Sequence, residues 1–178
     1  MSKTFDSLLK NITHTDPAKR QAAVKSLGQS RDPRAVDTLI TLLNDPDESV
    51  RDQAADGLVA VNDEKAIQPL IECFIDPKRK SVPDIDGHES THIPAAIKHF
   101  GPKASAYLLP SLDDSLDAWQ KNILWLLGEI ADPGTTDALI DAHNKTDEGV
   151  VRYALKEAIK KINSGPARAF IGSLKKRW

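Results

Sequence analysis

His88-Glu89-Ser90-Thr91-His92 sets two imidazoles four residues apart with a carboxylate between them. On a helix that spacing puts both rings on one face, where they hold zinc while the glutamate acts as general base. The flanking residues work against this reading. Gly87 precedes the run and Pro94 follows it closely. The repeat alignment given below starts a helix near Thr91, which leaves His88 in the loop before it. No third ligand follows at a spacing such sites use. A looser set is Asp84, Asp86, His88, Glu89 and His92, whose imidazoles and carboxylates suit several divalent ions. Read without an ion, the same residues are a polar loop whose side chains cap a helix. The expectation is that no metal and no other cofactor is held. His99 lies seven residues after His92, so a helix there would bring the two onto one face. His14 and His143 fall near expected helix ends and read as structural.

The second chemistry is cationic. Arg20, Arg51 and Arg152 recur at one place in the repeat, each near an acidic turn. They are either a row of anion-binding guanidiniums or a structural ladder bridging to turn carboxylates of neighbouring units, and the ladder is favoured. The charge is also unevenly spread. Residues 1–150 hold 16 Lys and Arg against 25 Asp and Glu, whereas residues 151–178 hold 8 against 1. Cations near a helix C-terminus complement its dipole, which suits Lys160 and Lys161 at the end of the last repeat helix and Lys175 to Arg177 at the end of the cap. The concentration exceeds that need, so Arg168, Lys175, Lys176, Arg177 and the aromatic Trp178 are taken as a partner-contacting end. An acidic protein surface is the expected partner, with nucleic acid the less favoured one.

Cys73 is the only cysteine. A disulfide scaffold is excluded, and the apolar run around Cys73 reads as a packed, inert thiol. The first residues are polar throughout, and no run nears the ~20 apolar residues of a membrane span. A cytoplasmic location without membrane contact is expected. No phosphate-binding glycine loop, nucleophile elbow or paired-cysteine zinc motif appears.

Elements that repeat must position these residues. At an offset of 31, Arg20 falls on Arg51, Ala23 on Ala54, Leu27 on Leu58, Asp32 on Asp63, Ala35 on Ala66, Leu39 on Leu70 and Ile40 on Ile71. At an offset of 100, Leu127-Gly128, Asp132-Pro133 and Leu139-Ile140 repeat Leu27-Gly28, Asp32-Pro33 and Leu39-Ile40. A weaker copy runs through Phe100-Gly101, and another through Val151-Arg152-Tyr153-Ala154-Leu155 with Ile159 in the Leu58 place. Such periods mark stacked helical units. Val36, Leu39, Ile40 and Leu43 give the first helix one apolar face, and Val50, Ala54, Leu58 and Val61 give the second a buried stripe. Asp32-Pro33 and Asp132-Pro133 start first helices, with the Asp oxygen capping and Pro at the first position. Asp16-Pro17 and Asp45-Pro46 mark the turn before second helices.

The runs DPDESVRDQAADGL and NDEKAIQPLIECF resemble HEAT repeats, in the subclass named after phycobilisome lyases. Pro69 and Pro110, inside first helices, fit that resemblance. It implies an all-α fold, an armadillo-like α-solenoid of about five helix pairs, as a single domain over residues 1–178. Residues 164–178 would form a C-terminal capping helix. From Leu58 to Phe100 is 42 residues rather than 31, which leaves an inserted loop at about 77–90 in the third repeat. The architecture implies a protein-binding scaffold or adaptor acting through a concave helical surface, with no catalytic site evident. Chromophore handling of the bilin-lyase kind and nucleic-acid binding through the basic end are the alternatives.

Overall fold

The computed structural model describes residues 5–76, 92–112 and 120–175. Among these the chain is all-α, and the helices pair as the solenoid reading requires. They fall into two compact units, Met1–His99 and Phe100–Trp178. The first unit holds α1 (Phe5–Leu9), α2 (Pro17–Gln29), α3 (Val36–Leu42), α4 (Glu48–Val61), α5 (Ile67–Ile75) and α6 (His92–His99). The second holds α7 (Pro102–Leu108), α8 (Gln120–Ile130), α9 (Thr136–Lys145), α10 (Gly149–Ile162) and α11 (Gly165–Lys175). From α1 to α10, odd-numbered helices are the first of each pair and even-numbered ones the second. In the first unit α2 packs along α4, and α4 along α6; in the second, α8 packs along α10. Each first helix covers its own second helix, and α11 lies over both α9 and α10, the place expected for the cap.

The aspartates set the helix starts. Asp32, Asp63 and Asp132 each accept a hydrogen bond from the backbone N–H two residues on, opening a 3-10 turn that runs into α3, α5 and α9. Asp16 caps α2, with Pro17 at the first helical position. The cap of α4 is Asp47, 31 residues after Asp16, and Asp45 accepts from the Asp47 N–H and from Arg20 in the turn before it. Pro69 sits in the first turn of α5, where a missing N–H breaks no bond within the α-helix. Pro110 lies where α7 tightens into a 3-10 turn over Leu109–Ser111.

Burial follows the periodic pattern. Val36, Leu39, Leu43, Val50, Ala54 and Leu58 are buried, as are Leu70, Ile71, Ile97, Leu108, Leu124, Leu127, Leu155 and Ile159. Val61, expected on the same stripe as Leu58, is half-buried at the end of α4. Cys73 is buried as expected, its Sγ 3.7 Å from the Leu43 carbonyl oxygen. The Leu-Gly pairs do not end helices. Gly28 and Gly128 sit inside α2 and α8, where the neighbouring second helix approaches closely. A methyl group at Gly28 would lie 2.5 Å from the Gly57 Cα, and one at Gly128 2.9 Å from the Ala158 Cα. The left-handed residues that end the helices come later: Arg31, Asn62, Ala131 and Asn163, each four positions after Leu27, Leu58, Leu127 or Ile159.

Candidate partner-binding surface

The recurring arginines belong to the framework. Arg20, Arg51 and Arg152 each donate to the carbonyl oxygen six residues earlier, on His14, Asp45 and Thr146. Each guanidinium thus closes the turn that precedes its own helix. Arg20 also makes the expected bridge to the next unit, with two bonds to Asp45 at 2.7 and 2.8 Å. Burial alone would raise the Asp45 carboxyl pKa. The hydrogen bonds from Arg20 and from the Asp47 N–H outweigh it and hold the group below the usual carboxylate range. The bonds above tie Arg51 and Arg152 to their own turns; Arg152 also lies 3.5 Å from Asp147, again in its own turn.

Of the metal candidates, Asp84, Asp86, His88 and Glu89 lie outside the described residues, together with the loop at about 77–90. His92 opens α6, and its Nδ1 is 2.9 Å from Asp56 Oδ1 on α4. His99 Nε2 is 3.0 Å from Asn62 Oδ1 at the end of α4. The two histidines do share a face, and it is the face turned to α4. Hydrogen bonding to Asp56 raises the His92 pKa against the opposing effect of burial, with the charges of Asp56 and Asp52 adding to the rise. Among the described residues, no three His, Cys, Asp or Glu side chains gather as a metal site. His143 is buried with its ring edge-on to Phe170 of α11, centroids 4.9 Å apart, and desolvation lowers its pKa.

Of the expected partner-contacting residues, Lys176, Arg177 and Trp178 lie outside the described residues, and Lys175 ends α11. Arg168 is exposed in the first turn of α11, its Nη1 donating to the Asn163 carbonyl oxygen at 2.9 Å. That bond sets Arg168 beside the C-terminal end of α10. Arg152, Lys156 and Lys160 run along α10 at intervals of four, so a cationic row leads up to Arg168. Lys160 is 3.5 Å from Glu157, and Lys161 pairs with Glu129 on α8.

Large apolar side chains are also exposed on α8 and α10, which the sequence reading missed. Trp125 is 41% exposed, Val150 56% and Tyr153 64%. Val150 and Tyr153 are three apart on α10, on the side away from the buried Val151, Leu155, Ala158 and Ile159. Trp125 lies on α8 one turn before the Gly128–Ala158 approach, level with the part of α10 that carries Tyr153. The available signal was a Trp, a Val and a Tyr falling where the helical period calls for polar residues.

The arrangement of an all-α stack with capped turns and small residues between second helices meets its counterpart here. Residues 5–82 match the family model for HEAT repeats. The match supports a HEAT-repeat protein; HEAT repeats commonly serve in protein interaction. No curated protein matches the chain. No helix among the described residues is long and apolar enough to cross a membrane. The match covers the turns built on Arg20 and Arg51, while the exposed apolar side chains of α8 and α10 fall beyond it, in the second unit.

Proposed function

We propose that this chain is a protein-binding scaffold and that the α8–α10 surface of its second unit takes the partner. The observation that carries the reading is the exposure of Trp125, Val150 and Tyr153 on adjoining second helices. Exposed large apolar side chains are ordinary when scattered. Here Val150 and Tyr153 lie on the exposed side of α10 with Lys160, Trp125 lies on α8, which packs along α10, and Trp, Tyr and Arg are the residues most enriched at interface hot spots. The basic end expected from the sequence, from Arg168 to Trp178, belongs to the same reading as an electrostatic flank.

A photo-crosslinking side chain in place of Tyr153 tests this in cells of the source organism. Tyr107 on α7, 43% exposed, provides the control position. A discrete protein adduct at position 153 and none at 107 is the expected result. Identical patterns at both positions would remove this surface as the docking site.

A further inference from the structure

The polarity of the α8–α10 surface defines the chemistry of what lies on it, granted that it is a docking surface as proposed above. Apolar exposure is confined to the N-terminal half of α10 and the neighbouring turn of α8: Val150, Tyr153 and Trp125. Cations hold the C-terminal half and continue past it: Lys156, Lys160 and Arg168. The acidic residues Asp147 and Glu148 lie at the opposite end, before α10 begins.

Helix electrostatics account for only part of this. A cation at the C-terminal end of α10 complements its dipole, as Lys160 does, but the effect falls off within the last turn. Lys156 lies a turn further back, and among the described residues its side chain makes no hydrogen bond or ion pair. Arg168 stands in the first turn of α11, and its bond to the Asn163 carbonyl oxygen draws its charge to the C-terminal end of α10 while leaving the side chain exposed. Lys160 has a second peculiarity. It follows Ile159 as Gly128 follows Leu127 and Gly28 follows Leu27, and both glycines let a neighbouring helix lie close. A lysine at that place suits a flank that meets water or opposite charge rather than a tightly packed helix.

We propose that the surface binds a protein segment in which apolar residues are followed by acidic ones. The apolar residues lie over Trp125, Val150 and Tyr153, and the carboxylates over Lys156, Lys160 and Arg168. Spacing supports this. Residues four apart on a helix rise about 6 Å along the axis, and alternate residues of an extended segment are about 6.6 Å apart. A carboxylate at every second position of an extended partner therefore keeps step with Lys156 and Lys160. The Lys160–Glu157 pair is long and exposed, and such pairs contribute little, so Lys160 can exchange it for a partner carboxylate. A nucleic acid is the poorer fit, because Asp147 and Glu148 lie at the apolar end of α10 and would repel a phosphate backbone continued over it.

The test uses the full chain and fluorescein-labelled probes read by anisotropy: a peptide of Leu-Phe followed by alternating Glu and Ser, the same peptide with Gln for Glu, and an oligo-deoxythymidine. The expected result is saturable binding of the Glu peptide, weaker by roughly fivefold or more for the Gln peptide and comparably weakened by raised salt. Tyr153→Ser and the double variant Lys160→Glu/Arg168→Glu should each weaken the Glu peptide by a similar factor, with helical circular dichroism unchanged. If either variant loses its helical signal, the salt and Gln comparisons on the unaltered chain decide. Equal binding of the Glu and Gln peptides, or tighter binding of the oligonucleotide, would overturn the proposal. If no peptide binds while the crosslinker at position 153 still captures a protein, the partner chemistry is wrong and the scaffold reading stands. If both fail, both fall.

Discussion

A methyl group at Gly28 would meet the backbone of Gly57 at 2.5 Å, whereas one at Gly172 on α11 meets nothing within 4 Å. The same substitution should therefore have opposite signs at the two sites. Alanine gains up to about 1 kcal/mol over glycine in a helix interior, and Gly172→Ala should show that gain in a denaturant melt. At Gly28 the two helices must move apart, and overpacking of that kind costs about 1–3 kcal/mol, so Gly28→Ala should be net destabilising. Equal effects would mean that α2 and α4 are not in close contact. Leu58, 1% exposed, should lose about 2–5 kcal/mol on replacement by Ala; a loss below half a kcal/mol would contradict its burial. Leu58 was legible from the helical period alone. The role of Gly28 was not, since a glycine after leucine near a helix end reads equally well as punctuation. Only the position of the neighbouring helix separates the two. Trp125 and Tyr153 were legible only through the helical period, because composition cannot tell an exposed ring from a packed one.

Helix ends and helix pairs carry the next set of consequences. Ala131 ends α8 with a φ of 55°, in the place that Asn62 and Asn163 hold at the ends of α4 and α10. Asparagine tolerates the left-handed region and alanine does not. Ala131→Gly should raise stability by up to about 1 kcal/mol, relief of the strain being partly offset by the freedom of glycine in the unfolded chain. A melt showing a loss would mean that Ala131 is not strained. Between α4 and α6 the His92–Asp56 contact makes stability depend on pH. The folded pKa of His92 lies above its unfolded value near 6.5, so its contribution is full below that value and fades as pH rises through the folded pKa. Asp56→Asn should flatten the pH dependence of the melting temperature over that window, and unchanged slopes would refute the coupling. The aspartate starts at Asp32, Asp63 and Asp132 were readable because cap chemistry is local. The cap at Asp47 was legible as well, since it lies one 31-residue offset after Asp16, and Asp45-Pro46 marks the turn before it.

At the scale of the whole chain, stacked repeats draw stability from each unit and its immediate neighbours. Leu58→Ala should therefore lower amide-exchange protection in α2, α4 and α6 more than in α8 and α10. Uniform loss across both units would show all-or-none behaviour instead. The all-α solenoid class was legible because a 31-residue offset recurs. The division into Met1–His99 and Phe100–Trp178 was not, because the repeat pattern runs through Phe100-Gly101. The pairing of α2 with α4, α4 with α6 and α8 with α10 has a further consequence. Helix partners lie one repeat away along the chain, so the loops that must close are short and native contacts are mostly local, the topology that folds fastest. A chain wired this way can assemble in the order in which it leaves the ribosome. Each helix docks on one already synthesised, and little apolar surface waits uncovered for a distant segment to arrive.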